Sequence, residues 1–342
     1  APTTRRRLRV VVTGATGNVG LALVRTLLDE PDVAQVVGVA RRAPDWSRAR
    51  LEWAEADVTS SLPPGLLSGA DALVHLAWAL QPSHDLARLE EVNVAGTRRV
   101  VTAAAEAGVG AIVHASSVGA YSAGPKDRSI DESWPTGGVP TSSYSREKAA
   151  VERWLDGFEH DHPALRIVRL RPSLIFQAEA AAEIARLFMG PLVPRRALNP
   201  LLLRLLPDVP GLRTQIVHAA DVADAYRRAV LGDVCGAFNV AADPPVDART
   251  LAGWLRGVTF PLPARAARSL VQATWRARLQ PTEPGWLDLA LAAPIQDTSR
   301  ARRQLGWAPT RSPREVIVEV LTALSDRRGG PTPPLDPRPR TE

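Results

Sequence analysis

A tyrosine and a lysine four residues apart, Tyr144 and Lys148, are the side chains best suited to acid–base chemistry in this sequence. Residues at this spacing lie on one face of a helix, one turn from each other. A free phenol ionises at about pH 10, and a neighbouring ammonium group lowers its pKa towards neutrality. The chain contains only three tyrosines and two lysines, so chance rarely produces such a pair. The spacing therefore predicts a general acid–base pair.

Two consecutive serines, Ser116 and Ser117, follow a short apolar run that ends at Ala115. A hydroxyl at the carboxyl end of a strand lies where open α/β sheets bind ligands. It can donate a hydrogen bond to the carbonyl or alkoxide oxygen of a substrate. Either serine could equally cap the loop that follows, so these residues alone leave both roles open.

A glycine-rich segment, Thr13-Gly14-Ala-Thr-Gly17-Asn-Val-Gly20, follows the first apolar run of the chain and opens a helical stretch. Glycines at such a junction permit a tight turn and a close approach of the backbone to a pyrophosphate. The pyrophosphate then lies at the positive N-terminus of the helix. The first gap is one residue wider than in the G-x-G-x-x-G pattern. The segment predicts a dinucleotide site.

The second apolar run ends in two adjacent arginines, Arg41 and Arg42. A site specific for NAD places an acidic residue at this point to bind the ribose 2′-hydroxyl. Two guanidinium groups suit a 2′-phosphate instead. The sequence therefore favours NADP over NAD, although two solvated surface arginines would give the same pattern.

The elements that position these residues alternate between strand-like and helix-like segments through the first half of the chain. This rhythm predicts an α/β fold with a doubly wound parallel sheet of the Rossmann type. We predict a dinucleotide-binding domain over residues 8–172 and a smaller, mostly helical C-terminal substrate lobe over 173–326, whose late strands at 214–241 return to the main body. Residues 1–7 and the Pro-, Gly- and Arg-rich residues 327–342 are expected to be disordered tails.

Composition excludes several classes of protein. The net charge is +6, but the basic residues that cause it lie near the two ends, and residues 11–326 sum to zero. This distribution argues against a nucleic-acid partner. The single cysteine, Cys235, excludes an internal disulfide framework and a cysteine-rich metal site. No apolar run approaches the ~18 residues that a membrane span needs, so we expect a cytoplasmic protein with no membrane partner and no metal.

Several motifs together resemble one family. They are TGATGNVG at 13–20, VHLAW at 74–78, NVAGT at 93–97, HASSVGAY at 114–121, YSREK at 144–148, RPSLIF at 171–176 and LGWAP at 305–309. Their order is similar to that of the extended short-chain dehydrogenases/reductases, also described as NAD-dependent epimerases/dehydratases. The resemblance runs from about residue 8 to residue 325.

This resemblance implies functional roles by position. The implied catalytic residues are Ser117, Tyr144 and Lys148. The implied cofactor-binding residues are Gly14, Thr16, Gly17, Asn18 and Val19 at the pyrophosphate, Asp57 and Val58 at the adenine, Leu76, Ala77 and Trp78 along the cofactor, and Pro172 and Ile175 beside the nicotinamide. Asn93 is implied as a structural and proton-relay residue. We expect His75 and His114 to pack within strands. The family also implies a homodimer formed through the helices near 86–108 and 143–160.

Two departures from the family pattern bear on the substrate. Sugar-nucleotide members usually continue the Arg-Pro strand with an asparagine and a Tyr-Gly-Pro turn, whereas this chain reads Arg171-Pro-Ser-Leu-Ile-Phe-Gln177. Trp78 also stands where many members have glycine. Both departures weaken a sugar-nucleotide assignment and leave room for an apolar carbonyl substrate. We expect an NAD(P)-dependent oxidoreductase that transfers a hydride between the nicotinamide and a carbonyl or secondary-alcohol carbon. The alternatives are a sugar-nucleotide epimerase or dehydratase with transient oxidation, and a non-catalytic dinucleotide sensor.

Overall fold

The computed structural model describes residues 7–81, 83–189 and 195–338. Its strands are β1 (Leu8–Thr13), β2 (Val33–Ala40), β3 (Leu51–Glu55), β4 (Ala72–His75), β5 (Ala111–Ala115), β6 (Ser129–Ile130), β7 (Arg166–Pro172), β8 (Leu174–Phe176), β9 (Leu205–Asp208), β10 (Arg213–Thr214), β11 (Ile216–His218), β12 (Gly236–Val240), β13 (Val246–Asp247), β14 (Val258–Pro261) and β15 (Ile295–Gln296). Its α-helices are α1 (Asn18–Leu28), α2 (Leu86–Glu90), α3 (Gly96–Glu106), α4 (Ser143–Asp161), α5 (Ala181–Phe188), α6 (Ala219–Leu231), α7 (Ala248–Leu255), α8 (Ala264–Arg276), α9 (Pro284–Ala292) and α10 (Pro313–Ser325).

Seven parallel strands of the described chain form the central sheet, in the order β12-β7-β5-β4-β1-β2-β3. Its inner strands are continuous apolar runs that are buried on both faces, which is typical of a parallel sheet covered by helices on both sides. The strand order reverses beside β1, which pairs with β2 on one edge and with β4 on the other. Open α/β sheets bind ligands at the carboxyl ends of the strands that flank such a reversal.

Adjacent valines of β1 point into two separate cores. Val10 packs with Leu23 of α1 and Tyr226 of α6 on one face of the sheet. Val11 packs on the other face in a cluster that includes Leu155 of α4. Successive side chains of a strand point to opposite faces, so one apolar run anchors helices on both sides. The predicted Rossmann-type fold is confirmed.

After β7 the chain forms short paired strands outside the central sheet. β8 pairs with β11, β9 with β14, and β10 with β13. Of the late region at 214–241, β12 returns to the edge of the central sheet beside β7, whereas β11 does not. The helical pieces α7, α8 and α9 follow β12. The domain boundary between residues 172 and 173 stays a prediction.

Residues 327–338 are docked on the body of the protein rather than disordered. Leu335 is fully buried and packs with Leu21 of α1 and Ala180. The Thr332 hydroxyl donates a hydrogen bond of 2.7 Å to the carbonyl of Thr16 in the glycine-rich loop. The predicted disorder is therefore wrong for 327–338. Leu335 and Thr332 make specific contacts with the body of the protein, and composition does not reveal such contacts. Residues 1–6 and 339–342 of the predicted tails lie outside the described residues.

The described residues contain neither a helix suited to span a membrane nor a cluster of metal ligands. None of the described helices combines the length and the apolar character that crossing a bilayer requires. Within the same part of the chain, no group of three or more His, Cys, Asp or Glu side chains is arranged to hold a metal ion.

Candidate active site

The glycine-rich loop joins β1 to α1 at the reversal point of the sheet. Gly14 has a φ of +69°, and a Cβ there would lie 2.7 Å from the backbone nitrogen of Ala77. A Cβ at Gly20 would lie 2.1 Å from the Gly14 carbonyl oxygen. Gly17 is the N-cap of α1 and supplies no side-chain hydrogen bond to the first turn. The helix N-terminus can therefore bind an anion through its own backbone N–H groups.

Asn18 ties this loop to β8. Its side-chain amide donates to the Ile175 carbonyl at 3.3 Å, and its backbone carbonyl and side-chain oxygen each accept from Gln177 Nε2 at 2.9 Å. Gln177 is buried, and sequence reasoning missed it, because a glutamine after a strand carries no distinctive signal. The loop is thus held from β8 and, through Thr16, from the C-terminal segment.

The two arginines predicted to recognise the cofactor, Arg41 and Arg42, follow β2 and are both exposed. Neither forms an ion pair within the described residues. Asp57 lies just beyond β3, where its carboxylate accepts the backbone N–H of Thr59 at 2.9 Å. That hydrogen bond is the main cause that lowers the pKa of Asp57. Val58 packs closely against the start of α3, where a Cβ on Gly96 would lie 2.9 Å from its side chain.

Lys148 and Tyr144 both lie in the first turns of α4, as the spacing predicts. Lys148 Nζ donates to the Ala115 carbonyl at 2.7 Å and lies 3.3 Å from the ring centroid of Trp78. The same nitrogen is 5.7 Å from the ring centroid of Tyr144. The structure therefore brings the carboxyl end of β5, the loop after β4 and the start of α4 together around one ammonium group.

Burial controls the protonation of this pair. It lowers the pKa of Lys148 to about 7 and raises the pKa of Tyr144 to about 12. A hydrogen bond with Ser117 partly opposes the shift of Tyr144. The expected lowering of the tyrosine pKa by the lysine is absent here: loss of solvation is the largest cause of the shift, and the Glu147 carboxylate raises the pKa further.

The two serines have different partners. Ser117 hydrogen-bonds Tyr144, and its Oγ also accepts the backbone N–H of Gly119 at 2.9 Å. Ser116 instead donates to the buried carboxylate of Glu152, which also binds Arg171. Ser117 therefore caps its loop and faces the tyrosine, and its role towards a substrate stays a prediction. Ser116 belongs to a buried ionic network behind the site.

Asn93 lies in a π-helical turn between α2 and α3, and its amide is fully engaged by the protein. It accepts the Ala79 N–H at 2.7 Å and donates to the Ala79 carbonyl at 2.8 Å and to Glu147 at 2.7 Å. It thus fixes the loop that carries Trp78 relative to α4.

The two strand histidines lie beneath the site. His75 is bound by Thr13 at 2.7 Å and by Thr97 at 3.0 Å, and its ring stacks on that of His114 with centroids 5.8 Å apart. Burial lowers the pKa of His75 to about 3 and that of His114 well below its usual value. Both therefore pack in the core as neutral side chains.

Aromatic side chains surround the Tyr144 ring. Trp78 meets it edge-on with centroids 6.1 Å apart, and Trp286 of α9 lies 4.7 Å away. Phe188 of α5 lies 5.1 Å from Trp286. Sequence reasoning found Trp78 but missed Trp286 and Phe188, because they come from the least recognisable part of the chain. We call these three residues the aromatic wall.

Comparisons with known proteins agree with this arrangement. The model of the NAD dependent epimerase/dehydratase family matches residues 10–241. An uncharacterised protein of Mycobacterium tuberculosis is 26% identical over 325 residues, which are 94% of this chain and 31% of that protein. The chain thus spans about a third of the length of that relative.

Two further proteins match along nearly their whole length. The 4-hydroxy-2-methyl-3-oxo-4-farnesyl-3,4-dihydroquinoline-1-oxide ketoreductase of Stigmatella aurantiaca is 27% identical and is covered to 97%, with 95% of this chain. The crystal structure of a dTDP-glucose 4,6-dehydratase from Streptomyces venezuelae with NAD bound has a TM-score of 0.67 at 22% identity, covering 93% of this chain and 97% of that chain. Because the family model matches more than half of its residues, the chain belongs to the NAD-dependent epimerase/dehydratase family, the extended short-chain dehydrogenase/reductase enzymes that its motifs predicted.

Proposed function

We propose that the protein is an NADP-dependent oxidoreductase that transfers a hydride between the nicotinamide and the carbonyl or secondary-alcohol carbon of an apolar substrate. The observation that carries this proposal is the placement of Tyr144, with Ser117 and Lys148 beside it, against an aromatic wall. A nicotinamide bound at this site would supply or accept the hydride.

The chain's own residues would handle the oxygen and its proton. Ser117 orients the substrate oxygen, and Tyr144 gives its phenolic proton to that oxygen as negative charge develops on it. Because burial raises the pKa of Tyr144 to about 12, the phenol stays protonated at neutral pH. That state suits a proton donor, so the site favours reduction of a carbonyl. Lys148 would hold the nicotinamide ribose and stabilise the phenolate that remains.

The glycine-rich loop and the end of β2 support the cofactor assignment. The close approaches at Gly14 and Gly20 leave no room for side chains, and the N-terminus of α1 has no side-chain cap. Arg41 and Arg42 are exposed and present two planar donor groups for a 2′-phosphate.

The aromatic wall supports an apolar substrate. A nucleotide sugar needs polar partners for its hydroxyl and phosphate groups, whereas Trp78 and Trp286 present mainly ring surfaces beside Tyr144, and Phe188 lies against Trp286. The ketoreductase relative is named for a bicyclic ketone with a farnesyl chain. The activity in that name is of the class that we propose here.

The test is NADPH consumption by the purified protein with a panel of hydrophobic ketones and, in parallel, with nucleotide sugars. Stoichiometric oxidation of NADPH with a ketone would support the proposal. Conversion of a nucleotide sugar without net NADPH loss would replace it with the epimerase or dehydratase alternative. Ser117→Ala should lose turnover, and the matched Ser116→Ala should keep it, because only Ser117 contacts Tyr144.

A further inference from the structure

An exposed apolar surface lies on the two-stranded parallel sheet formed by β9 and β14. Leu205 pairs with Val258, and Pro207 pairs with Phe260. All four side chains are exposed, Leu205 by 59% and Val258 by 63%. Paired residues point to the same face of a sheet, so this face is apolar throughout and open to solvent.

The other face of the same sheet is covered. Leu206 packs against Ala252 and Leu255 of α7. Just before β9, Leu201 and Leu202 add two more exposed leucines. We call the six exposed residues the apolar patch: Leu201, Leu202, Leu205, Pro207, Val258 and Phe260. Single exposed apolar residues are common, but a continuous set usually marks an interaction surface.

Helix α8 follows β14 after two residues and also exposes apolar side chains. Its buried side centres on Ala267, while Ala266, Leu270 and Ala273 face solvent at helical spacing. Arg265 and Arg276 lie on the exposed side as well. A helix with an outward apolar strip flanked by basic residues is typical of one that lies in a membrane interface.

The segments that carry this surface are rich in arginine. Residues 189–207 and 248–282 together contain nine arginines and no lysine, aspartate or glutamate. Arg249 pairs with Asp208, the last residue of β9, and Arg268 pairs with Asp288 of α9, but Arg265 and Arg276 form no ion pair within the described part of the chain. The neutral sum over residues 11–326 therefore conceals a positive excess in the C-terminal lobe, where residues 173–326 contain 18 arginines and 14 acidic residues.

We propose that the apolar patch and the exposed side of α8 dock on the surface of an anionic lipid bilayer. The apolar side chains would enter the boundary between headgroups and acyl chains, and the arginines would reach the phosphates from apolar stems. A symmetric contact with a second copy of the chain would instead place the same arginines opposite each other. We expected no membrane partner because no apolar run is long enough to span a bilayer. Docking on the bilayer surface needs no such run.

The docking surface adjoins the candidate active site. Helix α8 contacts α9, which carries Trp286, and Trp275 of α8 stacks on His84 with ring centroids 4.2 Å apart. Docking would therefore place the aromatic wall near the bilayer surface, where an apolar substrate dissolves. This consequence rests on the proposed function, whereas the docking itself does not.

The test is flotation of the full chain with two kinds of vesicle, phosphatidylcholine alone and equal parts of phosphatidylcholine and phosphatidylglycerol. We expect binding to the anionic vesicles and little binding to the neutral ones. Leu205→Ser with Val258→Ser, and separately Arg265→Glu with Arg276→Glu, should each weaken binding by about tenfold or more. NADPH affinity and melting temperature check that each variant is folded.

The matched controls are Val318→Ser and Arg314→Glu on α10, which change exposed side chains of the same types that belong neither to the apolar patch nor to α8. Both should bind anionic vesicles as the wild type does. The proposal is overturned if the wild type ignores anionic vesicles, or if the patch variants bind them as well as the controls do. It is also overturned if the serine variants convert a dimer to a monomer and vesicle binding is absent. If the wild type floats with anionic vesicles but turns over no ketone, the proposed function fails and the docking proposal stands.

Discussion

Removal of residues 329–342 should destabilise the protein, because the C-terminal segment covers α1 and the glycine-rich loop. Burial of the Leu335 side chain stabilises the folded state by ~2–3 kcal/mol. The hydrogen bond from Thr332 to Thr16 adds ~1 kcal/mol. Ordering the chain opposes both gains. We therefore expect truncation to lower the free energy of unfolding by ~2–3 kcal/mol.

The loss of stability caused by Leu335→Ala is a lower limit for the loss caused by truncation. A terminal segment can detach while the rest of the chain stays folded, so Leu335→Ala cannot cost more than truncation does. For a chain of this length, ~2–3 kcal/mol corresponds to a fall in melting temperature of about 3–4 °C. NADPH affinity should fall by about two- to fivefold, since the loop loses one of the contacts that hold its shape.

The measurements are thermal unfolding and NADPH titration of the full chain, the truncated chain, Leu335→Ala and the control Arg338→Ala. Arg338 is exposed and pairs only with the nearby Asp336 within the described residues, so its loss should change neither quantity. If truncation left both the melting temperature and the NADPH affinity at the wild-type values, the docked position of this segment would be refuted.

Three further predictions concern the cofactor, the chemistry and the pH dependence. Alanine at both Arg41 and Arg42 should weaken NADPH binding by ~1.5–3 kcal/mol per lost contact, with NADH nearly unaffected; equal losses in titrations of both cofactors would contradict the assignment. Tyr144→Phe should reduce turnover by ~10²–10⁴-fold with cofactor affinity retained, whereas Lys148→Ala should reduce both, and near-normal turnover of the phenylalanine variant in a kinetic assay would disprove the catalytic role. His75 has a folded pKa of about 3, below its unfolded value of about 6.5. The unfolded chain therefore binds more protons between these values, and the free energy of unfolding should fall by ~1.4 kcal/mol per pH unit for this histidine as pH decreases from 6.5; urea unfolding at pH 7.5 and pH 5 measures this slope.

The sequence predicted those features that local physics determines. Gly14 has a positive φ and lies against the backbone of the loop after β4, where a side chain does not fit. A glycine at this point in the sequence therefore predicts the tight turn. The apolar runs of β1 and β4 have no polar face, and this property predicts a parallel sheet with helices on both sides. The helical spacing of Tyr144 and Lys148 likewise follows from a single turn of α4.

Features that depend on distant parts of the chain could not be predicted in this way. Trp286 and Phe188 meet only because α5 and α9 come together in the fold, and Trp286 then lies against Tyr144. The docking of Leu335 depends on a site formed by Leu21 and Ala180, far away in the sequence. The direction of the Tyr144 pKa shift depends on burial, which a local spacing does not encode.

The aromatic wall, rather than Ser117, Tyr144 and Lys148, distinguishes a net reduction from a transient oxidation. A serine, a tyrosine and a lysine can serve a net reduction or a transient oxidation equally well, since both need a proton at the same oxygen. The two reactions differ in how the substrate is held. A nucleotide sugar has many polar groups that need hydrogen-bond partners, whereas ring surfaces beside Tyr144 stabilise apolar groups by removing them from water. The basic, apolar surface on the same lobe fits a substrate that partitions into lipid. The aromatic wall thus favours this chemical class, and an apolar carbonyl compound is the first substrate to test.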